Sequence, residues 1–117
     1  MLKICSTNPN YTNGQIQTVF DFLVKVAQKQ GITHYKETGA LVGLEAHNPI
    51  LWQMLGEIST YTYRNYGVFL SVLVVNYESG HPGGSFFDLV ASLQGTKVKD
   101  KLKFFCEEYR RCHKTNW

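Results

Sequence analysis

Residues 68–85, which read VFLSVLVVNYESGHPGGS, decide the predicted fold. The first eight residues form an apolar run that is interrupted only at Ser71. The run is rich in β-branched side chains, so it predicts a strand from Val68 to Val75. One strand cannot make a sheet, because its backbone groups need a neighbouring strand. We therefore expect partner strands from residues 2–5, from residues 78–87, or from both.

A glycine-rich segment and two further helices are predicted after this strand. Residues 76–84 are mostly turn formers and predict a turn or wing. Ser85 is then the expected cap of a short helix that reaches Leu93. Gly95 separates this helix from a last one, from about Lys97 to His113. The apolar stripe of the last helix is formed by Val98, Leu102, Phe105, Cys106 and Tyr109.

Upstream of the strand, apolar residues recur at helical spacing from Gln15 to Gln30 and predict the first helix. Thr12 or Asn13 is the expected cap at its start. Gly31 is expected to end this helix in the left-handed conformation.

Two more helical elements are predicted between the first helix and the strand. The second is short, with Thr33 as its N-cap and Gly43 as its end, and its inward-facing residues are Tyr35, Leu41 and Val42. The third begins at Asn48 and Pro49, since asparagine at the cap and proline at the first helical position are typical of a helix start. It is expected to run to about Asn65.

The predicted order is three helices, a strand, a wing and two helices, within a single domain that covers residues 1–117. Two helices joined by a short turn, then a strand and a glycine-rich wing, are typical of a winged helix-turn-helix. The sequence therefore predicts an α+β fold with a winged-helix-like three-helix core. A short β-hairpin or small sheet and additional C-terminal helices complete it.

Composition restricts the class of protein. Only 18% of the 117 residues are charged, which argues against disorder of the whole chain. Three cysteines without framework spacing indicate reduced thiols and a cytoplasmic location. The N-terminus does not read as a signal peptide and no apolar run is long enough to span a bilayer, so no membrane partner is expected. Cys106, Cys112 and His113 lack the spacing of a zinc site, and neither a metal nor a cofactor is expected.

Several short motifs between the second helix and the wing carry a family resemblance. Gly43 follows Tyr35 by eight residues, and a further helix leads to Val74-Val75-Asn76 and a glycine-rich turn at residues 80–84. In these features the chain resembles the C-terminal DNA-binding domain of alkylguanine-DNA alkyltransferases and alkyltransferase-like proteins, over less than half of its length. The resemblance implies a winged-helix fold and DNA binding. Residues 70–89 are also similar to small uncharacterised bacterial and phage proteins, which implies no activity.

Two departures from that family limit what the resemblance implies. The family carries a reactive Pro-Cys-His-Arg motif before Val-Val, whereas this chain has Leu70-Ser71-Val72-Leu73. Without the cysteine nucleophile, alkyl transfer is excluded. The family also inserts an arginine from its recognition helix into DNA, but no Lys or Arg occurs between Glu37 and Tyr63. We therefore assign no catalytic residue and expect a non-enzymatic binding module.

Candidate binding residues come from the glycine-rich segment and from the basic tail. Backbone amides at residues 79–85 suit a phosphate or carboxylate, and the alternative is a tight turn that only needs positive φ angles. Seven of the 12 Lys and Arg residues lie in the last 21 positions, where they contact phosphates or form a solvated helix face. The predicted nucleic-acid-binding residues are Tyr35, Trp52, Gln53, Arg64, Gly83, Gly84, Ser85, Lys97, Lys101, Arg110, Arg111 and Lys114.

Three functions stay open from the sequence. The leading hypothesis is a module that binds DNA or RNA through the wing, Arg64 and the basic helix. The second is a protein-interaction module that regulates or inhibits a larger complex through exposed aromatic residues. These are Trp52, Tyr61, Tyr63 and Trp117. The third is a small enzyme, which requires His81 and Glu78 to converge in a cleft. The oligomeric state is not determined by the sequence.

Overall fold

The computed structural model describes residues 3–117 and is mostly helical, with one small parallel sheet. Its elements are helix α1 (Asn13–Gln28), strand β1 (Thr33–His34), helix α2 (Tyr35–Ala40), helix α3 (Pro49–Tyr66), a 3-10 helix (Leu70–Leu73), strand β2 (Val74–Val75), helix α4 (Gly84–Gln94) and helix α5 (Lys101–Lys114). This composition agrees with the predicted α+β class. Within the described residues, no helix is both long and apolar enough to cross a membrane.

Helix α1 begins where the sequence predicts it but ends differently. Thr12 Oγ1 accepts the Gln15 N–H at 3.1 Å, and Gln15 Oε1 accepts the Thr12 N–H at 2.9 Å, which makes a capping box. After the helix, Gln30 takes the left-handed conformation with φ of 57°, so the prediction for Gly31 is wrong. The Gly31 N–H bonds back to the Val26 carbonyl at 3.0 Å, which satisfies this end of the helix.

Helix α2 starts later than predicted. Thr33 is not its N-cap but the first residue of β1, because its backbone pairs with the second strand, and His34 takes the cap position. Tyr35 is buried as predicted. Leu41, by contrast, is 43% exposed, and Val42 is only partly buried, because the helix has already ended at Ala40.

Helix α3 starts and ends close to the predicted positions. Asn48 Oδ1 accepts the Ile50 N–H at 2.9 Å, and Pro49 occupies the first helical position. The helix runs to Tyr66, and Gly67 follows it with φ of 74°, a left-handed end that glycine adopts without strain.

The segment from Val68 to Val75 is not the long strand that its composition predicts. Residues 70–73 form the 3-10 helix, and only the last two residues are in a strand. Three successive backbone N–H groups are bound by side chains of other helices instead of by a neighbouring strand. Phe69 N–H donates to Glu108 Oε2 at 2.7 Å, Leu70 N–H to Thr62 Oγ1 at 3.2 Å, and Ser71 N–H to Ser59 Oγ at 2.9 Å.

The segment from Val68 to Val75, which we call the core segment, is the centre of the hydrophobic core. All residues from Val68 to Val75 are buried, and α1, α3 and α5 pack around the 3-10 helix. Because neighbours cover it on every side, the sequence of the segment shows no alternation of apolar and polar residues. Burial on every side therefore explains why the segment is an apolar run, although it does not form a long strand.

The sheet pairs β1 with β2 in parallel, with Thr33 opposite Val74 and His34 opposite Val75. Among residues 3–117 the sheet contains only these two strands, so the partner strands predicted from residues 3–5 and 78–87 are wrong. Residue 2 lies outside the described residues. Because the strands are parallel, their carboxyl ends lie at the same edge of the sheet. The residues that follow the two strands are therefore close together.

Helices α4 and α5 begin at different residues than predicted. Gly83 occupies the N-cap position of α4, so Ser85 lies in the first turn and is not the cap. Helix α5 begins at Lys101 because Asp100 Oδ1 caps it by accepting the Lys103 N–H at 3.0 Å. Leu102 was expected in the buried stripe but is 62% exposed, since it lies in the first turn, before the packed part of the helix.

Candidate nucleic-acid interface

The glycine-rich turn between β2 and α4 is held in place from both sides. Gly80 has φ of 73°, a conformation that favours glycine, and its N–H donates to the Asn76 carbonyl at 2.9 Å. The Asn76 N–H donates to the His81 carbonyl at 3.1 Å. At the end of the turn, the Gly83 N–H donates to the Tyr35 hydroxyl at 3.0 Å. The turn is therefore fastened to the start of α2, and this requires the buried position of Tyr35.

Backbone donors are exposed at the first turn of α4. Gly84 and Ser85 are both exposed, and their N–H groups have no acceptor within the helix, whereas the Phe86 N–H donates to the Gly83 carbonyl at 3.1 Å. No side chain among residues 3–117 caps this end, because Gly83 has none to offer. These donors and the helix dipole favour an anion at this position. Gly84 and Ser85, two of the predicted binding residues, therefore lie side by side in this first turn.

A small hollow separates the first turn of α4 from α3. Tyr35, Trp52, Ser71 and Ser85 all line it, and its volume is about 40 Å³. This volume suits a water molecule and not a larger ligand. The Trp52 side chain at its rim is 42% exposed, which leaves part of the indole ring available to a partner. Three predicted binding residues therefore meet at this hollow.

Lys101 flanks the first turn of α4 on the other side. Its Nζ lies 5.3 Å from the centroid of the Phe87 ring, a cation–π contact that holds the lysine against α4. Lys101, His81 and Gly84 line one cleft. Trp52 and Lys101 therefore lie on opposite sides of the same exposed backbone donors. We call this surface the α4 face and define it by Tyr35, Trp52, Gly83, Gly84, Ser85 and Lys101.

The remaining predicted binding residues lie elsewhere or have other partners. Gln53 Oε1 accepts hydrogen bonds from Asn8 and Asn10, so this amide anchors the N-terminal loop to α3. Arg64 is exposed in the last turn of α3, twelve residues beyond Trp52, or about 18 Å along the helix. Lys97 is exposed in the loop before α5 and not on a helix.

The basic residues of α5 are spread along the helix. Arg110, Arg111 and Lys114 lie nine to thirteen residues beyond Lys101, which corresponds to about 14 to 20 Å. Arg111 bonds to the Gly67 carbonyl at 2.8 Å and to Glu108 Oε1 at 2.9 Å. Of these predicted cations, only Lys101 lies beside the glycine-rich turn. The predicted cations of α5 therefore do not form one continuous row that could contact successive phosphates.

Glu108 is the buried partner that holds Arg111. Glu108 is only 2% exposed, and its carboxyl group accepts the Phe69 N–H through Oε2. Burial raises the pKa of Glu108, and the Phe69 N–H and the Arg111 guanidinium oppose this shift. Cys112, one turn further, is also buried, and burial raises the pKa of its thiol. These groups bind the core segment to α5 and face away from solvent.

Three of the four aromatic residues that were expected to be exposed pack within the fold. Tyr61 contacts Phe20 edge-on, and Tyr63 stacks on Phe69 with ring centroids 4.4 Å apart. Trp117 donates from Nε1 to the Cys112 carbonyl at 2.9 Å. Of these three, Tyr63 packs on the segment Val68 to Val75 through Phe69, whereas Tyr61 and Trp117 pack against helices. Trp52 is the member of this set that remains exposed.

His81 and Glu78 do not meet in one cleft. His81 lies in the cleft with Lys101, whereas Glu78 lines a different cleft, at the edge of the sheet. The convergence that a small enzyme requires is therefore not formed by this pair. Among residues 3–117, no three His, Cys, Asp or Glu side chains are grouped so that they could hold a metal ion.

A cluster at the sheet edge, formed by His34, Glu37 and Tyr77, was not predicted from the sequence. The His34 ring stacks on the Tyr77 ring with centroids 3.8 Å apart and an angle of 4° between the planes. Glu37 receives the Tyr77 hydroxyl on one oxygen and lies 3.3 Å from His34 Nδ1 with the other. The Tyr77 hydrogen bond lowers the pKa of Glu37. The spacing of three residues between His34 and Glu37 was the only signal in the sequence, because Tyr77 is forty residues further along.

This cluster, which we call the Tyr77 cluster, borders a cleft of about 470 Å³ at the edge of the sheet. Tyr35 lines both this cleft and the hollow beside Trp52. The cleft is therefore adjacent to the α4 face.

Comparison of the chain with models of protein families, with curated proteins and with solved structures gave no match. The resemblance to the alkyltransferase family thus remains a prediction.

Proposed function

We propose that this protein is a non-enzymatic module that binds nucleic acid, and that the α4 face makes the central contact. The observation that carries the proposal is the position of Trp52 and Lys101 on either side of the exposed first turn of α4. Backbone N–H groups at a helix start and a lysine suit a phosphate, and an exposed indole suits a base. A phosphate and a base are neighbouring parts of one nucleotide.

The winged-helix-like architecture belongs to this proposal. Its support is the order of α2, an eight-residue loop, α3, the core segment and the glycine-rich turn, which stands where a wing would stand. Ser71, at the place of the family's reactive cysteine, is buried and pairs with Ser59 Oγ at 2.5 Å. A serine engaged in this way is a structural residue, which supports a binding function without chemistry.

The proposal can be tested by fluorescence anisotropy with labelled single-stranded and duplex DNA and RNA, from about 50 to about 200 mM salt. We expect weak binding whose logarithm falls linearly with the logarithm of salt concentration, because each phosphate contact releases counterions. Lys101→Gln should weaken binding and reduce the salt slope by about 1. Trp52→Ala should weaken binding and leave the slope unchanged, because stacking on an indole releases no counterion.

Lys29→Gln is the matched control, because Lys29 is an exposed lysine that follows α1. The neighbouring Gly31 carbonyl lies 2.9 Å from His113 Nε2, near the end of α5 opposite to Lys101. This control should bind like the wild type. If no single strand or duplex binds at the lowest salt concentration, the proposed function is wrong.

A protein-interaction module that regulates or inhibits a larger complex is the alternative proposal. Among the aromatic residues first assigned to it, Trp52 is the exposed anchor that remains. A nuclease-insensitive complex with one stoichiometric protein, which Trp52→Ala abolishes, would favour this alternative over nucleic-acid binding.

A further inference from the structure

Tyr77 is an exposed aromatic residue whose ring is nevertheless held in one orientation. The residue is 61% exposed. One face of its ring is covered by the parallel His34 ring, and its hydroxyl is bound by Glu37. The backbone also positions this stack, because His34 ends β1 and Tyr77 follows β2 by two residues at the same edge of the sheet. An aromatic ring fixed in this way loses little conformational entropy when a ligand binds.

Tyr77 lines the cleft at the sheet edge, whereas His34, which covers one face of its ring, does not. A volume of about 470 Å³ lies within the range of small-ligand sites. Beside the ring, Asn76, Glu78 and Ser79 line the cleft with groups that donate and accept hydrogen bonds. Lys36 adds a cation at the wall of the cleft. These groups match a ligand that has a planar ring to stack on Tyr77, polar atoms at the edge of that ring, and a negative charge near Lys36.

We propose that the cleft binds one unpaired base of a single-stranded nucleic acid, stacked on the free face of Tyr77 as the third ring after His34. This inference rests on the proposed function, since it names the form of nucleic acid and a second contact for it. Only an unpaired base can stack here, because both faces of a base in a duplex are covered by its neighbours. Asn76 and Glu78 line the same cleft and carry the oxygen acceptors that the exocyclic amine of a base requires.

The position of the cleft supports a strand that continues to the α4 face. Tyr35 lines both the cleft and the hollow at Trp52, and its hydroxyl holds Gly83. A strand with one base on Tyr77 and another at Trp52 would cross the exposed N–H groups of α4 with its backbone. Two stacking positions joined by anion-binding donors are typical of proteins that bind single strands.

Anisotropy titrations of a single strand and of a duplex with Tyr77 variants test this inference. Tyr77→Leu removes the aromatic ring and should weaken single-strand binding by about 5- to 150-fold, as expected for the loss of one stacked base. Tyr77→Phe keeps the ring and should bind within about twofold of the wild type. Duplex binding should be the same for all three proteins. Leu41→Ala, another exposed apolar residue, is the control for a general surface effect.

The outcomes separate this inference from the proposed function. If the wild type binds but Tyr77→Leu binds the single strand equally well, or loses duplex binding to the same extent, the base site is refuted and the general binding function stands. If no nucleic acid binds the wild type, both are refuted.

A second measurement needs no substitution and so does not depend on the variants' folding. In the NMR spectrum of protein with labelled tyrosine, a short oligonucleotide should shift the Tyr77 ring signals upfield through the ring current of the base. The Tyr11 signals provide an internal reference, because that side chain is buried in the N-terminal loop and bonded to Glu57. Tyr77 signals that stay in place at saturating oligonucleotide would overturn the inference.

Discussion

Replacement of Glu108 by alanine should destabilise the protein by about 2 to 3 kcal/mol. The carboxyl group is buried and accepts the Phe69 N–H at 2.7 Å, so the substitution leaves a buried donor without an acceptor, which costs about 1 to 3 kcal/mol. The lost methylene adds about 1 kcal/mol. The ion pair with Arg111 adds little, because the Arg111 side chain is 56% exposed. Relief of the buried charge offsets part of these terms.

Urea unfolding followed by circular dichroism would measure this change, and a thermal melt should show a decrease of about 8 to 12 °C in Tm for a chain of this length. Glu107→Ala is the matched control, because Glu107 is the exposed neighbour on the same helix, and it should change the free energy of unfolding by less than about 0.5 kcal/mol. Equal midpoints for the two alanine variants would refute the role given to the buried carboxyl group.

The same residue gives a pH dependence with a defined sign. Burial raises the pKa of Glu108 above its ordinary value, so between these two values the folded protein holds this proton and the unfolded chain does not. The resulting stability is complete below the ordinary pKa and is lost as pH rises through the raised one. Relative to Glu108→Gln, the wild type should therefore lose stability as pH rises above the ordinary pKa of a glutamate carboxyl group. A difference that grows with pH would mean that the Arg111 pairing outweighs burial.

Two further pairs of substitutions can be compared by urea unfolding. Ser59→Ala should cost about 1 to 3 kcal/mol, because Ser59 Oγ accepts the Ser71 N–H at 2.9 Å and the substitution leaves that buried donor without an acceptor. Ser71→Ala keeps this bond and should cost less, and the reverse order would contradict the assignment. Gly56→Ala should stabilise α3 by about 0.5 to 1 kcal/mol, because among the described residues nothing lies within 4 Å of the added Cβ. Gly39→Ala should destabilise by about 1 to 3 kcal/mol, since its Cβ would lie 2.5 Å from the Leu44 carbonyl oxygen, and equal effects of the two glycine substitutions would refute this reasoning.

The helix ends show how far local chemistry can be predicted. Asn48 was placed correctly, and Thr12 is one of the two caps predicted for α1, because a cap is decided by one side chain within a few residues of the helix end. Gly31 was placed wrongly for the same reason in reverse. Once Gln30 takes the left-handed conformation, the turn is complete, and the following glycine has no need of a positive φ.

The binding surface was predicted less well than the helices. The basic tail was treated as one group of cations, but a helix separates residues by 1.5 Å per position and directs them around its axis, so Lys101 and Arg111 reach different neighbours. The aromatic residues Tyr61, Tyr63 and Trp117 were expected on the surface. They are partly buried against the core because Phe20, Phe69 and Tyr66 lie next to them, a fact that no local pattern contains.

The amino-acid sequence by itself determined the presence of the helices, the start of α3 at Asn48 and Pro49 and the place of the glycine-rich turn, because these depend on neighbouring residues and on backbone angles. The tertiary structure alone decided the conformation of the core segment and the meeting of His34 with Tyr77. An apolar run has the same composition whether it is a strand or a buried 3-10 helix. In this chain the choice depends on acceptors from Ser59, Thr62 and Glu108, up to 39 residues away. Contacts between distant residues are fixed only when the whole chain packs, and both the core and the candidate site consist of such contacts.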